Sequence, residues 1–415
     1  MVRAHFSNRG RTPPAFRRMD PVNTRLRPLH VILAATMLVA PAAAQVVGEK
    51  IDYDAIYKIK DEGFQHSQVM DTASWLTDVY GPRLTGSPNI KAAGEWTVKK
   101  LAEWGASNPR METWGTFGRG WVNERFSATA ISGAQPWTII GTPKAWTPGL
   151  DGTVTAEVVY APMENDADLD KWRGKLEGKI VLPVPLREVK AHFDVEANRL
   201  SEADLAKLEL YEPGSSRRNY NPAAFAFARK RLEFLNGEHV LAVFEPGRGD
   251  GGTLFVQQGG AYNPKAPPTG YGSQPAVVPP QVVIAVEHYN RIARTLDKKM
   301  PVSVELTIKN TMTEDQEAFN ILAELPGTDK AGEIVMLGGH FDSWHGGTGA
   351  TDNAAGSAVM LEALRILKAS GVKLRRTVRL GLWSGEEQGL LGSRAYVKQT
   401  FADRTTMQLK PAQKA

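Results

Sequence analysis

Residues 334–383 alternate two apolar strands with one amphipathic helix, and this alternation constrains the fold of the chain more than any other feature. Ile334–Leu337 and Val378–Trp383 are short apolar runs, and Gly356–Lys368 between them carries apolar residues at helical spacing. A strand, a helix and a second strand at this spacing predict a βαβ unit with parallel strands. Functional sites in such sheets collect at the carboxyl ends of the strands. We therefore expect an α/β domain with three αβα layers around a mixed sheet, and a site at that edge.

Polar residues follow the first strand of this unit directly. His340 comes immediately after the strand, and Asp342 is placed two residues later to accept the second imidazole N–H. Asp352 follows a glycine-rich turn and directly precedes the helix. An aspartate in that position commonly caps its helix, but its two oxygens also suit a carboxylate shared by two metal ions. His340 and Asp352 are therefore candidate metal ligands, with Asp342 as a supporting catalytic residue.

A pair of glutamates, Glu386 and Glu387, follows the second strand in a glycine-flanked loop. Neighbouring side chains point in different directions, so the two carboxylates cannot serve the same purpose. One can bind a metal ion while the other accepts a proton from the attacking water; the alternative is two exposed loop charges. The chain has no cysteine, so any metal must be held by His, Asp and Glu. The pair favours a metal-dependent hydrolase.

Together, three motifs resemble those of the zinc-dependent exopeptidases with two co-catalytic metal ions. They are H-x-D at 340–342, T-D-N-A-A-G at 351–356 and S-G-E-E-x-G-L-L-G-S at 384–393. The combination is most similar to the carboxypeptidase Q branch of that family. The likeness extends back through G-P-R-L-T-G-S at 81–87 and across residues 151–279, which resemble an inserted protease-associated domain.

The resemblance implies a role for each residue of the site. His340 binds one zinc ion, Glu387 binds the other, Asp352 bridges the two, and Glu386 is the general base. It also implies a cis peptide bond after Asp352, peptide or dipeptide substrates cleaved at a chain end, and a homodimer as a candidate assembly. Arg83 and Ser87, within the early motif, are interpreted as turn and helix-cap residues.

The chain departs from the family after the motif at 384–393. The family completes its site with a further aspartate and a histidine later in the chain. Here no histidine follows His345, itself interpreted as a polar loop residue, and Asp403 lies too close to Glu387. The resemblance thus implies two of three protein ligands per zinc and a peptidase domain that is incomplete at its C-terminal end. Two alternatives stay open: a catalytically impaired remnant, and a single-zinc transferase resembling glutaminyl cyclases.

The amino-terminal segment has the pattern of a secretory signal peptide. Seven arginines precede residue 30, the apolar run Val31–Ala40 follows, and small residues lead to Ala44. We expect cleavage after Ala44, a secreted, periplasmic or extracellular protein, and no stable membrane span after cleavage; Met19 is an alternative start. These arginines also account for the net charge of +5, so nucleic acid is not an expected partner.

The rest of the chain divides into three regions that differ in their pattern of predicted helices and strands. We expect residues 46–124 to form the first part of the peptidase domain, 125–295 a β-rich insert, and 296–415 the rest of the peptidase domain. A helical lead-in is predicted within 46–75, and a helix begins at Pro88 with Ser87 as its cap. The other predicted strands are 154–160, 179–184, 240–244, 253–256, 282–286, 302–308 and 319–325.

Overall fold

The computed structural model describes residues 51–410, apart from residues 196, 198, 210–220 and 261–277. The predicted signal peptide, residues 1–44, lies outside the described residues. The helices are α1 (Tyr53–Gln65), α2 (Val69–Ser74), α3 (Pro88–Glu103), α4 (Asp166–Trp172), α5 (Glu202–Leu208), α6 (Pro222–Gly237), α7 (Val286–Asp297), α8 (Ala355–Ala369) and α9 (Leu391–Thr400). The strands are β1 (Ser107–Ile131), β2 (Trp137–Thr138), β3 (Gly141–Pro143), β4 (Thr153–Tyr160), β5 (Ile180–Leu182), β6 (Ala242–Pro246), β7 (Gln281–Ile284), β8 (Ser303–Leu325), β9 (Lys330–His340), β10 (Arg376–Trp383), β11 (Ala402–Asp403) and β12 (Gln408–Leu409).

A long antiparallel ribbon of β1 and β8 connects two groups of strands. The carboxyl-terminal part of β8 pairs with β10, and its amino-terminal part pairs with β4. The sequence predicted two separate strands here, 302–308 and 319–325, and that division is wrong. The polar stretch between them stays in the ladder because β1 supplies its hydrogen-bond partners along the ribbon.

The predicted βαβ unit is present, formed by β9, α8 and β10. The strands β9 and β10 are parallel, with Val335 opposite Val378 and His340 opposite Trp383. The order on this side of the sheet is β1-β8-β10-β9. Both strands therefore end at the same edge, which places the loops that follow them side by side.

Helices cover both faces of this part of the sheet. On one face Leu380 and Leu382 of β10 pack into a core with residues of α3 and α8, among them Leu101 and Leu361. On the other face Tyr396 of α9 contacts the Trp383 ring, with 5.0 Å between ring centroids. Alternate residues of β10 thus point into two helical layers, which confirms the predicted three-layer α/β architecture.

The region between the two ribbon strands extends the sheet beyond β8, through β4. The strands β4, β5, β6 and β7 are parallel neighbours, and β3 adds antiparallel to β7. The strand predicted at 253–256 is wrong: these residues have no regular secondary structure, and an isolated bridge joins Ala145 to Gln258 just after them. The boundaries 125–295 and the identity of this region as a protease-associated insert stay predictions.

The segment before β1 is helical, as expected, with a break. The predicted lead-in is two helices, α1 and α2, followed by a π-helical turn at Trp75–Val79. Ser87 caps α3, since its hydroxyl accepts the N–H of Ile90 at 3.4 Å, and Pro88 occupies the first turn. Within the described part of the chain, no helix combines the length and apolar character needed to cross a membrane.

Candidate metal centre

Three side chains converge where β9 and β10 end. His340 is the last residue of β9, Asp352 lies in the irregular turn Ala350–Ala354 before α8, and Glu387 lies in the loop after β10. Their ligand-capable atoms all lie within 4.8 Å of one another, and His340 Nε2 is 2.8 Å from Asp352 Oδ1. The structure therefore brings together the three residues that the sequence singled out as metal ligands. The peptide bond after Asp352 is cis, as predicted.

The buried carboxylate of Asp342 organises the glutamate loop. It accepts the backbone N–H groups of Glu386 at 3.1 Å and Glu387 at 3.2 Å, and the Thr85 hydroxyl at 3.0 Å. His340 Nδ1 lies 3.1 Å from the backbone carbonyl of Asp342 and 3.8 Å from its carboxylate. Asp342 thus acts on His340 mainly through its backbone and on the loop after β10 through its side chain.

The hydrogen bond at Nδ1 also indicates the tautomer of His340. Because the Asp342 carbonyl can only accept, Nδ1 carries the hydrogen, and in the neutral ring the lone pair then lies on Nε2. That nitrogen faces Asp352. A histidine held in this way is arranged to bind a metal ion through Nε2.

The charges around the centre are unbalanced. Burial lowers the pKa of His340, but the adjacent Asp342 carboxylate and the charges of Glu386 and Asp352 outweigh it and raise the pKa to about 9. Burial and the charges of Asp352, Asp342 and Glu386 raise the pKa of Glu387 to about 7, although His340 opposes them. Both shifts reflect an excess of negative charge, which a bound cation would relieve.

The donor set fits a zinc ion. Zinc takes histidine nitrogen and carboxylate oxygen at about 2.0–2.2 Å. Donors that already lie within 4.8 Å of one another need only side-chain adjustment to share an ion. Asp352 is accessible, with 72% of its side chain exposed, so a second ion can reach its other oxygen.

Glu386 lies beside the cluster. Its charge raises the pKa of both His340 and Glu387, and its backbone is fixed by the bond to Asp342. The side chain is half-buried. This is a suitable position for a base that works next to a metal ion without ligating it.

A cavity of about 550 Å³ opens at the centre and extends to the intervening sheet region. Asp352, Glu387, Arg248 and Phe255 are among the residues that line it. Two further lining residues, Lys144 and Glu245, form an ion pair with each other. The cavity is thus large enough for a short peptide and is walled by two parts of the fold.

Residues of the early motif at 81–87 also build the site, and the sequence interpretation missed their roles. Thr85 accepts the N–H of Gly385 at 3.1 Å while donating to Asp342, so it bridges the two loops. Arg83, interpreted as a turn residue, is fully buried and contacts the loop after β9. A turn pattern alone carries no signal for such contacts, because their partners lie more than 250 residues away.

His345 does not join the metal cluster, in line with its interpretation as a loop residue. Its Nε2 lies 2.8 Å from the Pro143 carbonyl, and its ring meets the Trp121 ring edge-on at 4.7 Å between centroids. Burial lowers its pKa to about 4, although the hydrogen bond to Pro143 opposes this. His345 is thus held neutral near pH 7, away from the centre.

The chain is similar in sequence to known peptidases, and the matching segment contains the three converging side chains. Residues 320–410, which include every motif residue after β8, match peptidase family M28. The chain is 26% identical over 351 residues to carboxypeptidase Q of Mus musculus, covering 82% of this chain and 63% of that protein. It is 27% identical over 343 residues to carboxypeptidase Q of Bos taurus, covering 80% and 61%.

A solved structure has the same fold. The peptidase M28 precursor from Shewanella amazonensis SB2B superposes with a TM-score of 0.54 at 22% identity, over 84% of this chain and 71% of that one. These comparisons confirm the predicted resemblance: the chain is a relative of the M28 peptidases, similar to carboxypeptidase Q over most of its length. It spans about three fifths of the length of the curated relatives it matches.

Proposed function

We propose that this protein is a zinc-dependent exopeptidase that hydrolyses peptide bonds at the end of short peptides. The observation that carries the proposal is the convergence of His340, Asp352 and Glu387 within 4.8 Å beside a further glutamate, Glu386, at the edge where two parallel strands end. The relatives named above are peptidases, which supports the same reaction class.

In this proposal His340 would hold one zinc ion, Glu387 would hold a second, and Asp352 would contribute a carboxylate oxygen to each. Bound zinc supplies an electrophile that polarises the substrate carbonyl and acidifies the attacking water. Glu386 accepts the proton of that water and returns it to the leaving amine, as a general base and then a general acid. Asp342 keeps the N–H groups of the glutamate loop satisfied, so both carboxylates stay in place.

The cavity supports short peptides as substrates. Its volume of about 550 Å³ lies within the range of small-molecule sites. Arg248, an exposed cation that lines the cavity, suits an anionic group of a bound peptide. The insert identity of residues 125–295, secretion through residues 1–44, and a homodimer remain part of the proposal.

Zinc content and turnover, measured together, test the proposal. The purified protein is dialysed against zinc and its metal is counted, and release of amino acids from a set of dipeptides is followed. Glu386→Gln should keep its zinc and lose at least ~100-fold in turnover, in keeping with the usual contribution of a general base. His340→Ala should lose both zinc and activity.

Three outcomes separate the alternatives. Undiminished turnover in Glu386→Gln contradicts the assignment of the base. Little or no bound zinc together with an absence of turnover supports the catalytically impaired remnant. Ring closure of an amino-terminal glutaminyl peptide, in place of hydrolysis, supports the single-zinc transferase.

A further inference from the structure

The loop between two of the ligands is held at both ends by one buried arginine. His340 and Asp352 are separated by a loop that we call the ligand loop, residues 341–349. The Arg83 side chain is fully buried. Its Nε donates to the Phe341 carbonyl at 2.8 Å, and its Nη2 donates to the Gly349 carbonyl at 3.1 Å. The guanidinium thus joins the first residue of the ligand loop to its last.

Further contacts of Arg83 tie the ligand loop to the segment before α3. Its Nη1 donates to the Thr348 carbonyl at 3.2 Å and to the Leu76 carbonyl at 2.6 Å. The backbone N–H of Arg83 donates to Ser343 Oγ, and the Ser343 N–H donates to the Arg83 carbonyl, both at 3.1 Å. The ligand loop is therefore anchored at its first residue, at Ser343 and at its end.

The two ends of the ligand loop also touch each other. Gly349 has a positive φ of 66°, and a Cβ there would overlap the Ser343 side chain and lie 3.3 Å from Arg83 Nη2. Because of this close approach, Gly349 and Ser343 cannot move any nearer to each other. The distance between His340 and Asp352, which flank the ligand loop, then depends on the Arg83 guanidinium that joins the two ends of the loop.

The chemistry of these contacts calls for arginine. All four side-chain acceptors are backbone carbonyls, and Arg83 has five N–H donors in a rigid planar fork that can serve them together. A lysine ammonium has three donors on one atom and cannot reach both ends of the loop. The role of Arg83 is thus geometric and does not depend on an ion pair.

We propose that Arg83 is a positioning residue that sets the separation of His340 and Asp352 by closing the ligand loop. The inference rests on the proposed function in one respect, that these two residues bind the metal. That Arg83 holds the loop is a separate claim, and it is testable in the metal-free protein.

Arg83→Lys in the full chain is the test, with Arg365→Lys as its matched control. Arg365 is also buried, at 4% exposure, and bonds Glu362, Glu62 and the His66 carbonyl. It lies ten residues along α8, roughly 15 Å from the helix start at 1.5 Å per residue. Both variants lose a buried guanidinium, but only Arg83 contacts the ligand loop.

Two readouts are taken on each variant. Hydrogen exchange by mass spectrometry reports on peptides covering the ligand loop in metal-free protein. Titration with Co²⁺, followed by its visible absorption, reports on the affinity and coordination of the metal centre. Arg83→Lys should raise exchange in the ligand loop and weaken Co²⁺ binding by ~10–100-fold, as for other groups that orient metal ligands. Arg365→Lys should raise exchange in α1 and α8 and leave Co²⁺ affinity within about 2-fold, since its partners are remote from the ligands.

The outcomes distinguish this inference from the proposed function. A protected ligand loop and unchanged Co²⁺ affinity in Arg83→Lys overturn the inference, as does an equal loss of affinity in Arg365→Lys. If the unmodified protein binds no Co²⁺, the proposed function fails, and the exchange data still decide whether Arg83 holds the loop. If Arg83→Lys does not fold, Gly349→Ala replaces it, because the added Cβ would lie 3.3 Å from Arg83 Nη2 and displace the end of the ligand loop from the guanidinium. Faster exchange in the ligand loop with weaker Co²⁺ binding supports the inference, and unchanged exchange and affinity refute it.

Discussion

Replacing Asp342 with asparagine should destabilise the protein more than any comparable charge removal on its surface. The carboxylate is fully buried and accepts three hydrogen bonds, from Glu386 N, Glu387 N and Thr85 Oγ1. Asparagine keeps one acceptor oxygen and places an NH₂ group where the other oxygen was. In the better orientation the amide oxygen replaces Oδ2 and keeps the bonds from Thr85 and Glu387, while the Glu386 N–H faces another donor.

The magnitude follows from that geometry. A buried donor left without an acceptor costs about 1–3 kcal/mol, and the two remaining bonds lose the strength of a charged acceptor. We expect Asp342→Asn to lower the free energy of unfolding by about 3 kcal/mol in total on this basis. The urea midpoint of metal-free protein, followed by tryptophan fluorescence and by circular dichroism, measures it.

Asp329→Asn is the matched control. Asp329 lies at the surface, where it pairs with Arg375 with more than half of each side chain exposed. Its loss should leave the urea midpoint nearly unchanged, because exposed ion pairs contribute little. If Asp342→Asn is as stable as Asp329→Asn, the reasoning that Asp342 organises the glutamate loop is refuted.

Two further predictions concern stability. His345 has a pKa of about 4 in the folded protein against 6.5 ordinarily, so the unfolded chain binds a proton at this residue more readily than the folded protein does. The folded state is therefore stabilised above pH 6.5 by on the order of 3 kcal/mol. This stabilisation is lost as the pH falls toward 4. Urea midpoints between pH 4 and 7 should therefore depend less on pH in His345→Gln than in the unmodified protein, and an identical slope contradicts this. Gly392→Ala should destabilise α9 although alanine favours helices, because a Cβ there would overlap Asn320 Oδ1 and the Ser384 carbonyl. Gly332→Ala is the control, since a Cβ there meets no atom within 4 Å. Equal melting temperatures of the two variants would refute the packing argument.

The convergence of His340, Asp352 and Glu387 was predictable from the sequence because these residues follow or precede regular elements. A βαβ unit places the ends of β9 and β10 at one edge, so His340 and Glu387 had to meet, and Asp352 precedes the connecting helix. Local motifs and one topological rule were sufficient for this part of the site.

The ribbon could not be predicted in the same way. In β1 the register shifts around Gly115, Gly118 and Gly120, and each irregularity interrupts the period-two pattern by which a strand is recognised. At 253–256 the error was the opposite: a strand was predicted where none forms. The segment has an apolar, strand-like composition, but no neighbouring strand pairs with it. Pairing over long sequence distances decided both cases.

The roles of Arg83 and Thr85 in the site could not be predicted either, because their partners are distant in sequence. Arg83 and Thr85 stand in a motif that has every mark of a turn and a helix cap, and Ser87 does cap α3. The partners of Arg83 and Thr85 in the site are the backbone of the ligand loop and the carboxylate of Asp342. A single sequence does not show which turn a buried side chain will reach.

Anomalous diffraction at the zinc edge, from crystals of the full chain grown with zinc, tests the central claim most directly. The account predicts an anomalous peak within coordination distance of His340 Nε2 and Asp352. If two ions bind, a second peak lies between Asp352 and Glu387. No anomalous peak at these residues, or zinc held only elsewhere on the chain, would contradict it.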